Sequence, residues 1–206
     1  MSDLRTREKL ERIRVIKNAA RNSFAEQGFA NTTLDDISQK CDFSKGTLYN
    51  YLGNKETIFQ MIVLEGLDDL KKIASNSLRE HAPLETQLQG MSLMLLIYLR
   101  KNMDFFKVLK RVRDHLTTTS GNSYLEKIGE VFTELQLLFQ AVFDQEHHSL
   151  YLALESSDRT ARHYLQFIFE YVDMRGDEGS LLTASLAASE INTIFFEGLV
   201  KYSKSV

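Results

Sequence analysis

The sequence predicts an all-α protein of about nine helices. A small three-helix unit carrying a helix-turn-helix comes first, and a larger helical domain follows. Three observations carry this. One Pro and ten Gly in 206 residues leave few breaks, so long helices fill the chain. Apolar residues recur at i, i+3 and i+4 along most of it, the period of a helix with one buried face. Hydrophobic residues make up 43% of the total, enough for one large or two small cores. The expected division is 10–70 for the first domain, with the motif itself at 33–52, and 71–206 for the second.

The first helix is expected from Thr6 to Gln27, with Ile13, Ile16, Ala20 and Phe24 on one face. Gly28 is its left-handed stop, and Phe29 packs back onto the unit. Thr33 caps the second helix, and Asp36 three residues on completes a short-armed capping box. Leu34, Ile37 and Cys41 share the inner face, which makes Cys41 a small core hydrophobe. Asp42-Phe43 turns the chain, since Asp tolerates turn geometry. Ser44 caps a third helix whose inward pair is Leu48 and Leu52. Asn54 caps a fourth, with Glu56 in its favourable first turn. It carries Ile58, Ile62, Leu67, Leu70 and Ile73 toward Ser77.

Pro83, the sole proline, suits the first turn of a fifth helix, Leu84 to Tyr98 or beyond. Asn102 or Asp104 opens a sixth with Phe105, Phe106, Leu109 and Val112 apolar. Thr117 to Ser123 is loop chemistry. A seventh helix runs from Tyr124 to about Gln145 with two neighbouring apolar stripes, so it is buried on most sides. Glu155 to Asp158 is loop and cap for an eighth, ending near Met174. Arg175 to Gly179 is a break, and the ninth runs from Ser180 to about Lys204.

The outer faces of the third helix carry Lys45, Gly46, Thr47, Tyr49, Asn50 and Tyr51, with no carboxylate between Asp42 and Glu56. That is the equipment of a helix lying in a DNA major groove, which admits one α-helix. Lys45 reaches guanine or phosphate. Gly46 lets the backbone approach. Thr47 meets a thymine methyl or a phosphate, and Asn50 reads adenine or bonds phosphate. Tyr49 and Tyr51 have the length to put a hydroxyl on phosphate; the alternative for both is half-buried packing. Thr33 and Lys55 stand at two other helix N-termini, where a phosphate is favoured. The net charge of −3 argues against DNA only until its distribution is read. Residues 1–21 hold seven Lys/Arg against three Asp/Glu, so the cations gather beside the proposed reading head. Arg5, Arg7, Lys9, Arg12 and Arg14 are either an arm on phosphate or a solvated face.

The run from Val15 to Ile62 resembles the N-terminal domain of the tetracycline-repressor (TetR) family of transcriptional regulators. The matching residues include Ile16, Ala19-Ala20, Phe24, Gly28-Phe29, Thr32-Thr33, Ile37, Ser44-Lys45-Gly46-Thr47-Leu48-Tyr49, Tyr51, Lys55-Glu56 and Ile58-Phe59. The family usually has Gly where Asp42 sits, Ala at Ser38 and Phe at Leu52. Asp42 puts an anion near the DNA-facing turn. The resemblance implies a DNA-binding transcriptional regulator, a repressor that holds a palindromic operator of double-stranded DNA as a homodimer, with Thr33, Ser44, Lys45, Gly46, Thr47, Tyr49, Asn50, Tyr51 and Lys55 as its contacts. It implies release by a small molecule in the larger domain.

For that effector the sequence offers an apolar lining of Met94, Tyr98, Phe105, Leu109, Phe132, Phe139 and Phe143, with Arg111 and His115 as polar candidates; the alternative is plain core. A small, mostly apolar effector suits that lining. For the dimer, Phe167 and Tyr171 on the eighth helix and Ala184, Ala188, Ile191 and Phe195 on the ninth form the expected interface. A buried hairpin within one subunit is the alternative.

An enzyme is the first rival. His147-His148 beside Asp144 and Glu146 are adjacent histidines, pointing about 100° apart on a helix, a poor chelating pair. No Gly-rich phosphate loop, GxSxG elbow or CxxC occurs, so no catalysis, cofactor or metal is expected. A DNA-binding protein tolerant of many sequences is the second rival. One Cys permits no intrachain disulfide, MSDLRTREKL lacks the apolar segment of a leader, and no run reaches the roughly 18 apolar residues of a membrane span. The expected place is the cytoplasm, on the nucleoid when bound to DNA, with no membrane partner.

Overall fold

Long amphipathic segments with few breakers leave the backbone one economical way to satisfy its hydrogen bonds, and helices are the only regular structure among the described residues. The computed structural model describes the backbone of residues 2–78, 82–116, 123–145, 156–175 and 181–203, and the side chains of 4–78, 82–113, 125–145, 156–175 and 183–197. The helices are α1 (Ser2–Gln27), α2 (Leu34–Cys41), α3 (Lys45–Leu52), α4 (Lys55–Ser77), α5 (Leu84–Lys101), α6 (Met103–Leu116), α7 (Ser123–Asp144), α8 (Ser157–Arg175) and α9 (Leu181–Ser203). Of the expected loop Thr117 to Ser123 and break Arg175 to Gly179, Ser123 begins α7 and Arg175 ends α8, while the rest, with His147 and His148, lies outside the described residues. α1 starts earlier than its apolar stripe: Leu4, Arg5, Arg7, Glu8 and Lys9 are good helix formers without a breaker, so the helix extends as an exposed arm.

The chain forms two compact units, Met1–Gly66 with Asp104–Ile128, and Leu67–Met103 with Gly129–Val206. α4 contributes its first half to one and its second half to the other.

In the first unit, α1, α2 and α3 pack around Ile16, Ala20, Phe24, Ile37, Cys41, Leu48 and Leu52, all buried. Ile58, Ile62 and Val63 of α4 and Phe105, Val108, Leu109 and Val112 of α6 enlarge the core. Phe29 returns onto it as expected, its ring 4.7 Å from Phe59 and 5.9 Å from Phe24. α4 and α6 approach so closely that a Cβ on Gly66 would stand 2.2 Å from the Phe105 ring.

In the second unit, α5, α8 and α9 pack on one another, and α7 supplies Leu135, Phe139, Val142 and Phe143 to the core. A buried polar chain runs through it. Ser92 Oγ shares a hydrogen bond of 2.8 Å with the Tyr164 hydroxyl, which donates to Asn192 Oδ1, while Asn192 Nδ2 donates to the Glu85 carbonyl at 3.1 Å. Burial pushes the Tyr164 hydroxyl far above its ordinary pKa, so it stays protonated and can donate.

Candidate nucleic-acid interface

Local chemistry sets the helix-turn-helix. Thr33 Oγ1 accepts from the Asp36 N–H at 3.2 Å, and the Asp36 carboxylate accepts from the Thr33 N–H at 2.8 Å. That reciprocal box starts α2 where the sequence places it. The Thr33 hydroxyl also donates to the Asp36 carboxylate, and these bonds hold the carboxyl below the usual carboxylate range. Asp42 ends α2 in the left-handed conformation, φ 57°, and its N–H donates to the Ser38 carbonyl. Ser44 Oγ then accepts from the Thr47 N–H at 3.2 Å and starts α3. Asn54 Oδ1 accepts from the Thr57 N–H at 2.8 Å ahead of α4.

Leu48 and Leu52, both buried, fix the rotation of α3. At about 100° per residue the side opposite them is centred on Gly46 and Asn50, with Tyr49 on one flank and Thr47 on the other. Asn50 is exposed and Tyr49 is 64% exposed, a large ring left in solvent by a folded unit. A Cβ on Gly46 would meet nothing nearer than Ser44 Oγ at 3.8 Å, so the backbone here is open to close approach. Thr47 and Tyr51 are half-buried at the margins. The Thr47 hydroxyl lies 2.9 Å from Ser44 Oγ.

Two cations are not idle. Lys45 Nζ stands 2.5 Å from Asp35 Oδ2, both side chains 56% exposed. Such a pair is worth about 0–1 kcal/mol, so an incoming phosphate or base can take the lysine at little cost. Lys55 differs from expectation. Its Nζ donates to the Phe29 carbonyl at 2.9 Å and lies 4.4 Å from the centroid of the Phe29 ring. It ties the start of α4 to the turn after α1, so clamping phosphate is at most a second duty of its three donors. Arg12 lies 5.8 Å over the Phe43 ring, which places α1's basic face at the turn of the motif. Arg5, Arg7, Lys9 and Arg14 are exposed on the same helix, Arg14 paired with Glu11.

Sequence reasoning missed three further supports. Thr32 is buried, its hydroxyl donating to the Gly28 carbonyl at 2.8 Å. Arg111 of α6 donates from Nη1 to the Phe24 carbonyl at 2.6 Å, capping the last turn of α1. The Lys55–Phe29 tie is the third. The last two join residues distant in sequence, so no local pattern announces them.

The residues of the expected effector lining are divided between the two units. Phe105 and Leu109 belong to the core of the first unit, and the other five to the second unit. Phe139 and Phe143 are fully buried against Tyr164, and Phe132 packs on Phe169. Met94 is exposed, and the Tyr98 hydroxyl donates to Asp69 at 3.2 Å. Two clefts bounded by described residues include none of them: one of about 600 Å³ in the first unit, lined by Phe24, Phe29, Phe59, Val108 and Arg111 among others, and one of about 210 Å³ in the second. Arg111 is thus a lining residue, of a different cleft; the His115 side chain lies outside the described residues.

The expected interface is also revised. Ala184, Ala188 and Ile191 are buried inside their own unit, and the half-buried Phe195 sets its ring 4.8 Å from Tyr164. Tyr171 is buried, and only the half-buried Phe167 keeps partial access on α8. The side of α9 left in solvent carries Leu186 and Ile194, 62% and 49% exposed, and Met174 stands exposed near the end of α8. Cys41 is buried as expected.

Among the described residues no three His, Cys, Asp or Glu converge as a metal site. No helix among them is long and apolar enough to cross a membrane.

Residues 16–62 match the family model described as bacterial regulatory proteins, tetR family. The HTH-type transcriptional regulator UidR of Escherichia coli is 37% identical over 65 residues, which cover 32% of this chain and 33% of that protein. An uncharacterized HTH-type transcriptional regulator of Bacillus subtilis, YfiR, is 31% identical over 136 residues, 63% of this chain and 64% of that protein. The chain thus spans a third to under two thirds of the length of these relatives. The crystal structure of AibR in complex with isovaleryl coenzyme A and operator DNA superposes with a TM-score of 0.74 at 18% identity, covering 90% of this chain and 98% of that one, a likeness of fold.

Proposed function

We propose, from the match of residues 16–62 to the model of the tetR family of bacterial regulatory proteins, that the chain is a DNA-binding transcriptional regulator of that family. It represses by occupying a palindromic operator as a homodimer, and a small molecule releases it. Residues 10–70 read DNA and 71–206 dimerise and take the effector. The observation that carries the reading is the outer face of α3. Asn50, Gly46 and Tyr49 are presented to solvent by a helix whose rotation two buried leucines fix, beside an arm of exposed cations.

On this reading Asn50 lies over base edges and Gly46 admits the backbone. Lys45 leaves Asp35 for a guanine or a phosphate. Tyr49 and Thr47 reach phosphates on opposite strands, with Tyr51, Ser44 and Thr33 at the margins. One α3 touches few bases. Two, carried by a symmetric dimer, read half-sites spaced by roughly 34–36 Å or a multiple of it. Ile194 and Met174 supply exposed apolar surface that a second copy would cover. An effector acts only as far as it binds the form that does not fit the operator better. Emptying an almost full operator takes on the order of 5 kcal/mol of differential affinity.

The test is a titration of operator duplex, selected from fragmented genomic DNA of the host, with Lys45→Ala and Tyr49→Phe. Lys45→Ala is expected to weaken binding by about 1–3 kcal/mol and Tyr49→Phe by about 0.5–1.5 kcal/mol, with melting temperatures unchanged. Full affinity in both variants removes α3 from the interface.

A further inference from the structure

Among the described residues, Arg100 is the buried side chain whose nitrogens go unmet. It is 8% exposed, and its Nε and Nη1 have no hydrogen-bond partner. It lies in the last turn of α5, where the helix dipole favours a cation but supplies no acceptor to those nitrogens. A buried guanidinium without a counter-ion is an expensive thing for a fold to keep.

Arg100 lines a recess of about 210 Å³ with Tyr171 and Arg175 of α8 and Leu186, Ala187 and Glu190 of α9, all in the second unit. Glu190 is the carboxylate in this wall, and it is committed elsewhere. Its Oε2 accepts from the Tyr171 hydroxyl at 2.5 Å, and its Oε1 stands 3.5 Å from Arg175 Nη2. Two guanidinium groups against one carboxylate leave the lining one positive charge in excess. The volume equals roughly seven water molecules, room for a short branched or single-ring acid.

We propose that this recess binds a small monocarboxylate. The carboxylate lies against the Arg100 guanidinium, and the short apolar remainder rests on Leu186 and Ala187. Tyr171 and Arg175 hold Glu190 back, so that the wall's own anion does not occupy the place. The site gives the effector of the proposed regulator a chemical class, and only its consequence for DNA rests on that reading.

The experiment is calorimetric titration of the full chain, without DNA, with isobutyrate and benzoate and with the matching amides. The wild-type protein is expected to bind at least one of the two acids and to bind its amide at least about ten-fold more weakly, the loss of a charge-assisted hydrogen bond. Arg100→Met is expected to lose the acid to the same degree with its melting temperature kept or raised. If that variant does not fold, Arg100→Lys, which keeps the charge but not the planar fork, should still weaken the acid. Equal binding of acid and amide, equal binding by wild type and a folded Arg100→Met, or no binding of either acid overturns the proposal. So does a dimer that falls apart in Arg100→Met, which would assign the missing counter-ion to a second copy of the chain. A duplex titration in parallel separates the two readings: acid binding without duplex binding keeps the site and removes the regulator.

Discussion

Asp42 shows how a single residue carries both a structural cost and an electrostatic one. Its φ of 57° is a left-handed conformation that an L side chain adopts at a penalty and glycine adopts freely. Asp is among the residues that tolerate it, which is why the turn survives there. It also leaves an exposed carboxylate at the start of the reading head. Asp42→Gly is therefore expected to raise stability by a few tenths to about 1 kcal/mol, the left-handed strain less glycine's extra unfolded-state entropy. It should tighten duplex binding at low salt in the same protein. Thermal melts and a duplex titration check both, and a lower melting temperature would contradict the account. Lys45 and Asp35 are the converse case, an exposed pair in the free protein that DNA can exchange at little cost.

At the scale of elements, the close approach of α4 and α6 is the most demanding contact in the first unit. Ala is the better helix former by about 1 kcal/mol, so propensity alone says that Gly66→Ala stabilises. The Phe105 ring, 2.2 Å from where the Cβ would be, says the opposite. Because the ring is buried and has little room to move, packing wins. A net loss of about 1–3 kcal/mol is expected in a urea melt, and a gain would contradict it. The elements themselves were legible because their signals are local. Thr33, Ser44 and Asn54 cap within three residues, Gly28 stops α1 within one turn, and Leu48 with Leu52 sets the outward face of α3. What was not legible depends on distant partners. Lys55 reads as a free cation until Phe29, 26 residues away, returns to it. On α9 several stripes are apolar or small. Periodicity cannot say whether Ala184, Ala188 and Ile191 or Leu186 and Ile194 turn inward; the packing of α5 and α8 decides. The Phe and Met supply cannot by itself mark a pocket for a related reason: large apolar side chains are the ordinary material of a core. The recess at Arg100 shows itself only through two nitrogens that found no acceptor.

At the scale of the molecule, the net charge of −3 hides an uneven distribution. Ten Lys/Arg against eight Asp/Glu in residues 1–60 contrast with fifteen against twenty in the remainder. On the proposed reading, the excess of cations in residues 1–60 attracts the phosphates of a duplex. Phosphate contacts made by that end must release counter-ions, so affinity should fall steeply with salt, and the slope should be shallower by about one in a variant that has lost a phosphate contact. The proposed reading takes two copies for selectivity, because one α3 covers few base pairs. The measurement that tests this most directly is the affinity of the purified chain for its selected palindrome and for random duplex of equal length, across a salt series, with the oligomeric state read in the same samples. The account predicts a dimer that holds the palindrome at least about 10³-fold tighter than random duplex. A monomer with no affinity for any duplex at low ionic strength would contradict it.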